Sequence, residues 1–139
     1  MKFRYKPLEV EPSKSTSRKI TIWRPILPVI LIYKKGIVGY EALIDSGSDY
    51  NVFHSEIAQI LDIDYKRGKK RQIFGLGDQG IKGYECNVEI KLQGFPKFES
   101  SIIFSSQIPP HSFGVLGNKG FFDHFEIKFD YSSKSIEVN

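Results

Sequence analysis

The stretch ALIDSGSDYNVF, residues 42–53, sets a carboxylate where chemistry could occur. An apolar run reaches Asp45, turns through Ser46, Gly47 and Ser48, and meets a second acid, Asp49. Two readings fit. Asp-Ser-Gly is a common turn tripeptide, because an Asp oxygen accepts backbone N–H groups a residue or two further on. A carboxylate held in that way just past a strand, beside a glycine that lets another chain come close, can also act as an acid or base. The tripeptide by itself leaves both open.

Little else in the sequence offers a competing chemistry. Cys86 is the one cysteine, so no intramolecular disulfide can form, and the ordinary role of such a residue is a small buried hydrophobe. The three histidines are scattered and, with one thiol, give no metal-ligand spacing, so no metal and no cofactor are expected. Gly75, Gly77 and Gly80 spell G-x-G-x-x-G. A dinucleotide loop would need a helix next, because the phosphate sits on a helix N-terminus. Instead Tyr84, Cys86, Val88, Ile90 and Leu92 fall at every second position, which is the period of a strand. The glycines, with Gly83, therefore describe a hairpin whose residues can take positive φ.

The elements that must position Asp45 are mostly strands. KFRYKPLEV at 2–10 reads as an edge strand, since its proline argues against a central one. EPSKSTSRK at 11–19 is a polar loop or loose arm. ITIW and VILIY are strands separated by Pro25 and Pro28, and KKG turns the chain. IVGYEALI at 37–44 carries one charge and suits a strand buried on both faces. After the Asp45 turn, Ile57, Ile60 and Leu61 have helical spacing, with Ser55 as N-cap and Glu56 at the positive helix end. KFESSIIF at 97–104 is a strand, SSQIPPHSF a loop, and GVLG at 114–117 a short strand. NKGFFDHF forms one or two helical turns, with Phe121, Phe122 and Phe125 as core. Phe125, Ile127 and Phe129 alternate with charges, SSKS turns, and IEV is a last strand. Turn signals at this spacing predict an all-β barrel or sandwich with little helix.

The composition agrees. A chain of 139 residues is most simply one domain, and 11 Phe with 7 Tyr suit half-buried pleated surfaces. We divide it into an N-terminal arm or edge strand, 1–19, and a domain, 20–139. The opening MKFRYKPLEV has no apolar signal region. ILPVILI at 26–32 is far below the ~20 residues that span a bilayer and contains a proline, so no membrane partner is expected and the location reads as cytoplasmic. The net charge is +4, and KRGKKR at 66–71 is the densest basic cluster. It reads as a solvated loop. It holds no interleaved aromatics on which bases could stack, so nucleic acid is not the expected partner.

In its order of elements the sequence resembles the retropepsin-like aspartic peptidases. ALIDSGSD at 42–49 resembles their catalytic loop, FGLGDQGIKGY at 74–84 their flap, and GVLGNKGFFDHFEIKFD at 114–130 their closing element of two hydrophobic residues and a glycine. The resemblance covers roughly residues 20–138. It implies a closed β-barrel of the acid-protease type with one or two short helices, and hydrolysis of a peptide or protein substrate by two aspartates sharing a water. Only one such aspartate is present, because Asp78 and Asp130 lack the following Ser/Thr-Gly. The second must come from another copy, giving a homodimer with the site on its axis.

The resemblance also implies roles. Asp45 is the catalytic acid and base. Ser46 locks the two catalytic loops across the axis, Gly47 admits substrate, and Ser48 bonds the carboxylate or is a plain turn residue. Asp49 holds substrate backbone or makes a structural pair. Gly75, Gly77 and Asp78 belong to the flap, and Leu76, Ile81 and Val115 wall the apolar subsites. Asn118 stands where many relatives carry Arg or Asp, so the pairing of that residue with the catalytic loop must differ here. An aspartate pair needs neither His111 nor His124. Two other readings remain: a catalytically silent dimerisation or binding module of the same fold, and a basic nucleic-acid-binding β-barrel, favoured by a pI near 9.1.

Overall fold

Alternation of apolar and polar residues builds most of the sheet. In β8 (Ile81–Leu92), Val88, Ile90 and Leu92 are buried while Asn87 and Lys91 face out. The computed structural model of the protein describes residues 1–12, 14, 18–75 and 79–139. Around β8 a six-strand ring closes. It runs from β4 (Ile26–Tyr33) to β5 (Gly36–Ile44), β10 (Gly114–Leu116), β6 (Asn51–His54), β9 (Phe98–Ser105) and β8, which pairs back onto β4 from Val29↔Leu92 to Ile32↔Glu89. β7 (Lys69–Ile73) hangs outside the ring as the second arm of a hairpin with β8.

Two further sheets flank the barrel. β1 (Lys2–Arg4), β12 (Ser135–Val138) and β11 (Ile127–Asp130) form one, in the order β1-β12-β11. β2 (Lys6–Val10) and β3 (Ile20–Arg24) form the other, and Pro7 sits in β2, whose one neighbour is β3. Phe53, Phe104, Phe121, Leu27, Leu31, Ile90, Leu92, Ile102 and Leu116 fill the interior. Phe121 is fully buried, and Phe122 and Phe125 pack against the core around it. Phe121 and Phe125 stack at 5.1 Å between ring centroids. No helix among the described residues is long and apolar enough to cross a membrane.

The strand order around β10 positions the site. β5 and β10 are parallel, with Leu116 beside Ile44, whereas β10 and β6 are antiparallel at Val115↔Val52. The chain therefore leaves β5 on one side of β10 and re-enters the sheet as β6 on the other. Residues 45–50 must wrap the end of β10, which brings Asp45 next to Gly117.

Several sequence expectations change. β4 runs unbroken through Pro28. Ile44 donates to the Pro25 carbonyl, so Pro28 and Glu41 form a non-hydrogen-bonded pair, and the β8 ladder starts one residue later at Val29. A missing N–H therefore costs nothing there. β5 is not buried on both faces: Ile37 is 68% exposed, and burial begins only at Ala42. His54, not Ser55, caps the helix α1 (Ser55–Ile60), its Nδ1 accepting from Glu56 N at 3.0 Å, while Ser55 is buried inside the first turn. NKGFFDHF makes turns rather than helix, with Phe122 N donating to Gly117 O and Asp123 N to Asn118 O. KRGKKR is not a plain loop; it ends in β7, where charged side chains guard an exposed sheet edge. Gly80 and Gly83 work by size rather than by positive φ, whereas a Cβ at Gly75 would meet nothing within 4 Å and Gly77 lies outside the described residues. Among described glycines only Gly94 and Gly120 have positive φ. Gly83 instead lies inside β8, where a Cβ would stand 2.5 Å from Ile103 Cγ2.

Candidate active site

Asp45 follows the last residue of β5, and its backbone N donates to Leu116 O at 3.0 Å, one more rung of the β5–β10 ladder. The chain then turns. Gly47 N donates to Asp45 Oδ1 at 2.9 Å, and Ser48 N to Asp45 O at 3.1 Å. Both readings of the tripeptide thus meet in one geometry: the turn that Asp45 caps is what fixes its half-buried carboxylate. Gly47 is tight against it, since a Cβ there would lie 3.1 Å from Oδ1.

The loop is braced from the β10 side. Asn118 N donates to Ser48 O at 2.8 Å and Lys119 N to Asp49 O at 2.9 Å. The Asn118 amide donates from Nδ2 to Ser46 O at 3.1 Å, which ties the segment after β10 to the Asp45 loop without a charge. Ser48 does not bond the carboxylate; its hydroxyl donates to Tyr50 O at 2.8 Å and shapes the return into β6. Below the loop, buried Asn51 accepts from Gly117 N at 2.9 Å and donates to Ser100 Oγ at 2.9 Å and Ser101 O at 3.1 Å. Asn51 was not expected from sequence to matter; a polar residue at the start of a buried strand was its one signal.

The carboxylate opens onto a cleft of about 370 Å³. Gly47, Ser48, Gly75, Ile81 and Val115 are among the residues that line it. Leu76, Gly77 and Asp78 lie outside the described residues. Asp49 is exposed and is not part of the lining; its placed contact is the carbonyl taken by Lys119. The cleft also has walls that the sequence reading missed: Val52, Ile73, Phe74, Ile108, Pro109, Ser112 and Phe113. Phe74, 69% exposed, and the apolar residues set among the prolines of 106–113 were the legible signals, because large apolar groups in a loop need a reason to be there. His111 and His124 do not line the cleft.

The hairpin arm beside the cleft is held by an ion pair of Arg71 with Glu85, and Ser101 Oγ also donates to Glu85 at 2.7 Å. Burial pushes the Glu85 carboxyl up, but the hydrogen bonds from Ser101 and Arg71 outweigh it and hold the group below its ordinary range. Of the basic cluster, Arg71 is thus paired, and Arg67 lies 3.2 Å from Asp64.

Ser112 carries the one buried side-chain oxygen without a partner among the described residues. Removing an unsatisfied hydroxyl relieves about 1 kcal/mol of desolvation cost. Ser112→Ala is therefore expected to hold or raise the melting temperature, read by thermal denaturation; a clear drop would mean that the hydroxyl has a partner.

No family model matches the sequence, and no curated protein matches it. Solved structures do. A retropepsin-like aspartic protease from Rickettsia conorii superposes with a TM-score of 0.56 at 12% identity, over 99% of this chain and 96% of that one. The EIAV protease in complex with the inhibitor HBY-793 gives a TM-score of 0.47 at 21% identity, over 76% of this chain and 88% of that one. The fold is retropepsin-like.

Proposed function

We propose that the protein is an aspartic endopeptidase that works as a homodimer, with Asp45 of each copy at the shared site. The observation that carries this is the Asp45 carboxylate, fixed by Gly47 N at the end of β5 and open to an apolar cleft, in a retropepsin-like fold. One chain supplies one such carboxylate, so the second comes from a symmetry-related copy.

The chemistry follows from charge. Two carboxylates about 3 Å apart cannot both ionise, so the pair holds one proton and titrates as a unit. The ionised member takes a proton from water as it attacks the scissile carbonyl. The protonated member hydrogen-bonds the carbonyl oxygen, and the proton passes to the leaving nitrogen as the tetrahedral species collapses. Ser46, exposed at the loop tip, would meet its counterpart across the axis of such a dimer. Gly47 leaves room for substrate backbone beside the carboxylate. Gly75 and Ile81, at the two described ends of the hairpin loop, border the cleft on the side where bound peptide would be shielded from water. Val115, Ile81, Phe74 and Phe113 offer apolar surface to side chains flanking the cut bond.

A peptide-library digest across pH 3–8, followed by mass spectrometry, tests this alongside the mass of the protein in solution. Cleavage by a dimer supports the reading. A folded monomer at working concentration contradicts it outright, since one Asp45 cannot supply both carboxylates. A folded dimer that cuts nothing at any pH favours the silent binding module instead.

A further inference from the structure

Four residues of the cleft wall, Ile108, Pro109, Ser112 and Phe113, sit on a segment without strand or helix. No ladder fixes that segment, so other contacts must. One end is tied to the hairpin arm: Lys82 N donates to Gln107 Oε1 at 2.7 Å, and Gln107 N donates to Ser105 Oγ at 3.1 Å. The other end is tied from behind the cleft. His111 N donates to Glu56 Oε1 at 2.9 Å, and the Tyr40 hydroxyl donates to Ser112 O at 2.8 Å.

These rear contacts hold the backbone where it would not rest alone. His111 has φ of 59°, a left-handed conformation that costs a residue with a side chain roughly 1–2 kcal/mol. Its amide finds its acceptor only because Glu56 is presented by the first turn of α1, which His54 caps. The Glu56 carboxylate also lies 3.4 Å from His111 Nδ1 and 3.8 Å from His54 Nδ1. Burial first, and then the nearby Glu56 carboxylate, push the Tyr40 phenol above its ordinary range. Neither Tyr40 nor Glu56 lines the cleft.

We infer that Glu56 and Tyr40 are positioning residues for substrate recognition: accepting from His111 N and donating to Ser112 O, they set how far the wall bearing Ile108 and Phe113 stands from Asp45. The inference rests on the peptidase reading for its consequence, but the latch itself is a property of the free protein. Loosening it widens the subsite, so binding of small apolar side chains suffers while the aspartates are untouched.

The test uses the full chain with Glu56→Ala, Glu56→Gln and Tyr40→Phe, and reads amide hydrogen exchange of peptides spanning 106–113 without substrate. Loss of one such hydrogen bond is expected to speed exchange there about 10-fold in Glu56→Ala and Tyr40→Phe, and not elsewhere. Glu56→Gln keeps an acceptor oxygen and is expected to match wild type. In cleavage assays the first two variants raise KM several-fold for substrates with small apolar side chains, leave kcat nearly unchanged, and shift preference toward larger ones. Unchanged exchange at 106–113 in Glu56→Ala and Tyr40→Phe overturns the latch, as does a rise spread evenly over the chain. Glu56→Gln behaving like Glu56→Ala overturns the acceptor role in favour of charge pairing with His54 and His111. If exchange responds as expected but wild type cleaves nothing, the latch stands and the peptidase reading fails by itself.

Discussion

Asp45→Asn is expected to abolish cleavage, by a factor of about 10³ or more, in a protein that folds and dimerises like wild type. The substitution changes charge and proton capacity but hardly changes shape. Asn Oδ1 can still accept from Gly47 N, where Asp45 Oδ1 lies 2.9 Å away, so the turn is kept. The amide cannot take a proton from water or hold one for the scissile carbonyl. In the proposed dimer the aspartates act as a pair, so one altered copy is expected to suffice. A mixed dimer of wild-type and Asp45→Asn subunits is expected to be as inactive as the double variant. Activity measured against the fraction of variant subunit should then fall with the square of the wild-type fraction. A linear fall would mean that each Asp45 works alone, and the shared-site reading would be lost. Retained cleavage in the homodimeric variant would place the activity elsewhere in the chain or in a contaminant.

The sequence carried the strands well where alternation was strict, as in Tyr84–Leu92, and it carried Asp45 because a carboxylate next to Gly47 at a strand end is a local pattern. It did not carry what depends on neighbours distant in sequence. Nothing local marks Asn51 as the residue that joins Gly117 to Ser100 and Ser101, since those bonds exist only once β6 lies between β10 and β9. Ile108 and Phe113 are legible as apolar residues in a loop but not as a cleft wall, because a loop's apolar side chains acquire meaning only from the surface they face. His54 displaced Ser55 as helix cap because β6 runs directly into α1, so Ser55 is carried inward and the imidazole before it is left facing the free N–H. Pro28 was misread as a break because its position in the ladder, not its identity, decides whether an N–H is missed.

Gly117→Ala is expected to damage both stability and the site through a single added methyl. A Cβ there would stand 2.5 Å from Ser48 O, 2.5 Å from Tyr50 O and 2.9 Å from Tyr50 C. All three are backbone atoms, so no side chain can rotate out of the way. The Asp45 loop would have to lift off the end of β10, and the bond from Gly117 N to Asn51 Oδ1 would be strained with it. Overpacking with partial loss of a buried hydrogen bond costs about 3 kcal/mol, which for a chain of this size lowers the melting temperature by roughly 10 °C. Gly39→Ala is the matched control, because a Cβ there meets nothing within 4 Å. It adds the same methyl to a strand and is expected to leave both melting temperature and cleavage near wild type. The molecules of Gly117→Ala that remain folded test the site separately from stability. If the loop must move to admit the methyl, Asp45 moves with it, and cleavage per folded dimer drops as well. Wild-type cleavage by the folded fraction would mean that the strain is absorbed at Tyr50 and β6, leaving the Asp45 turn in place.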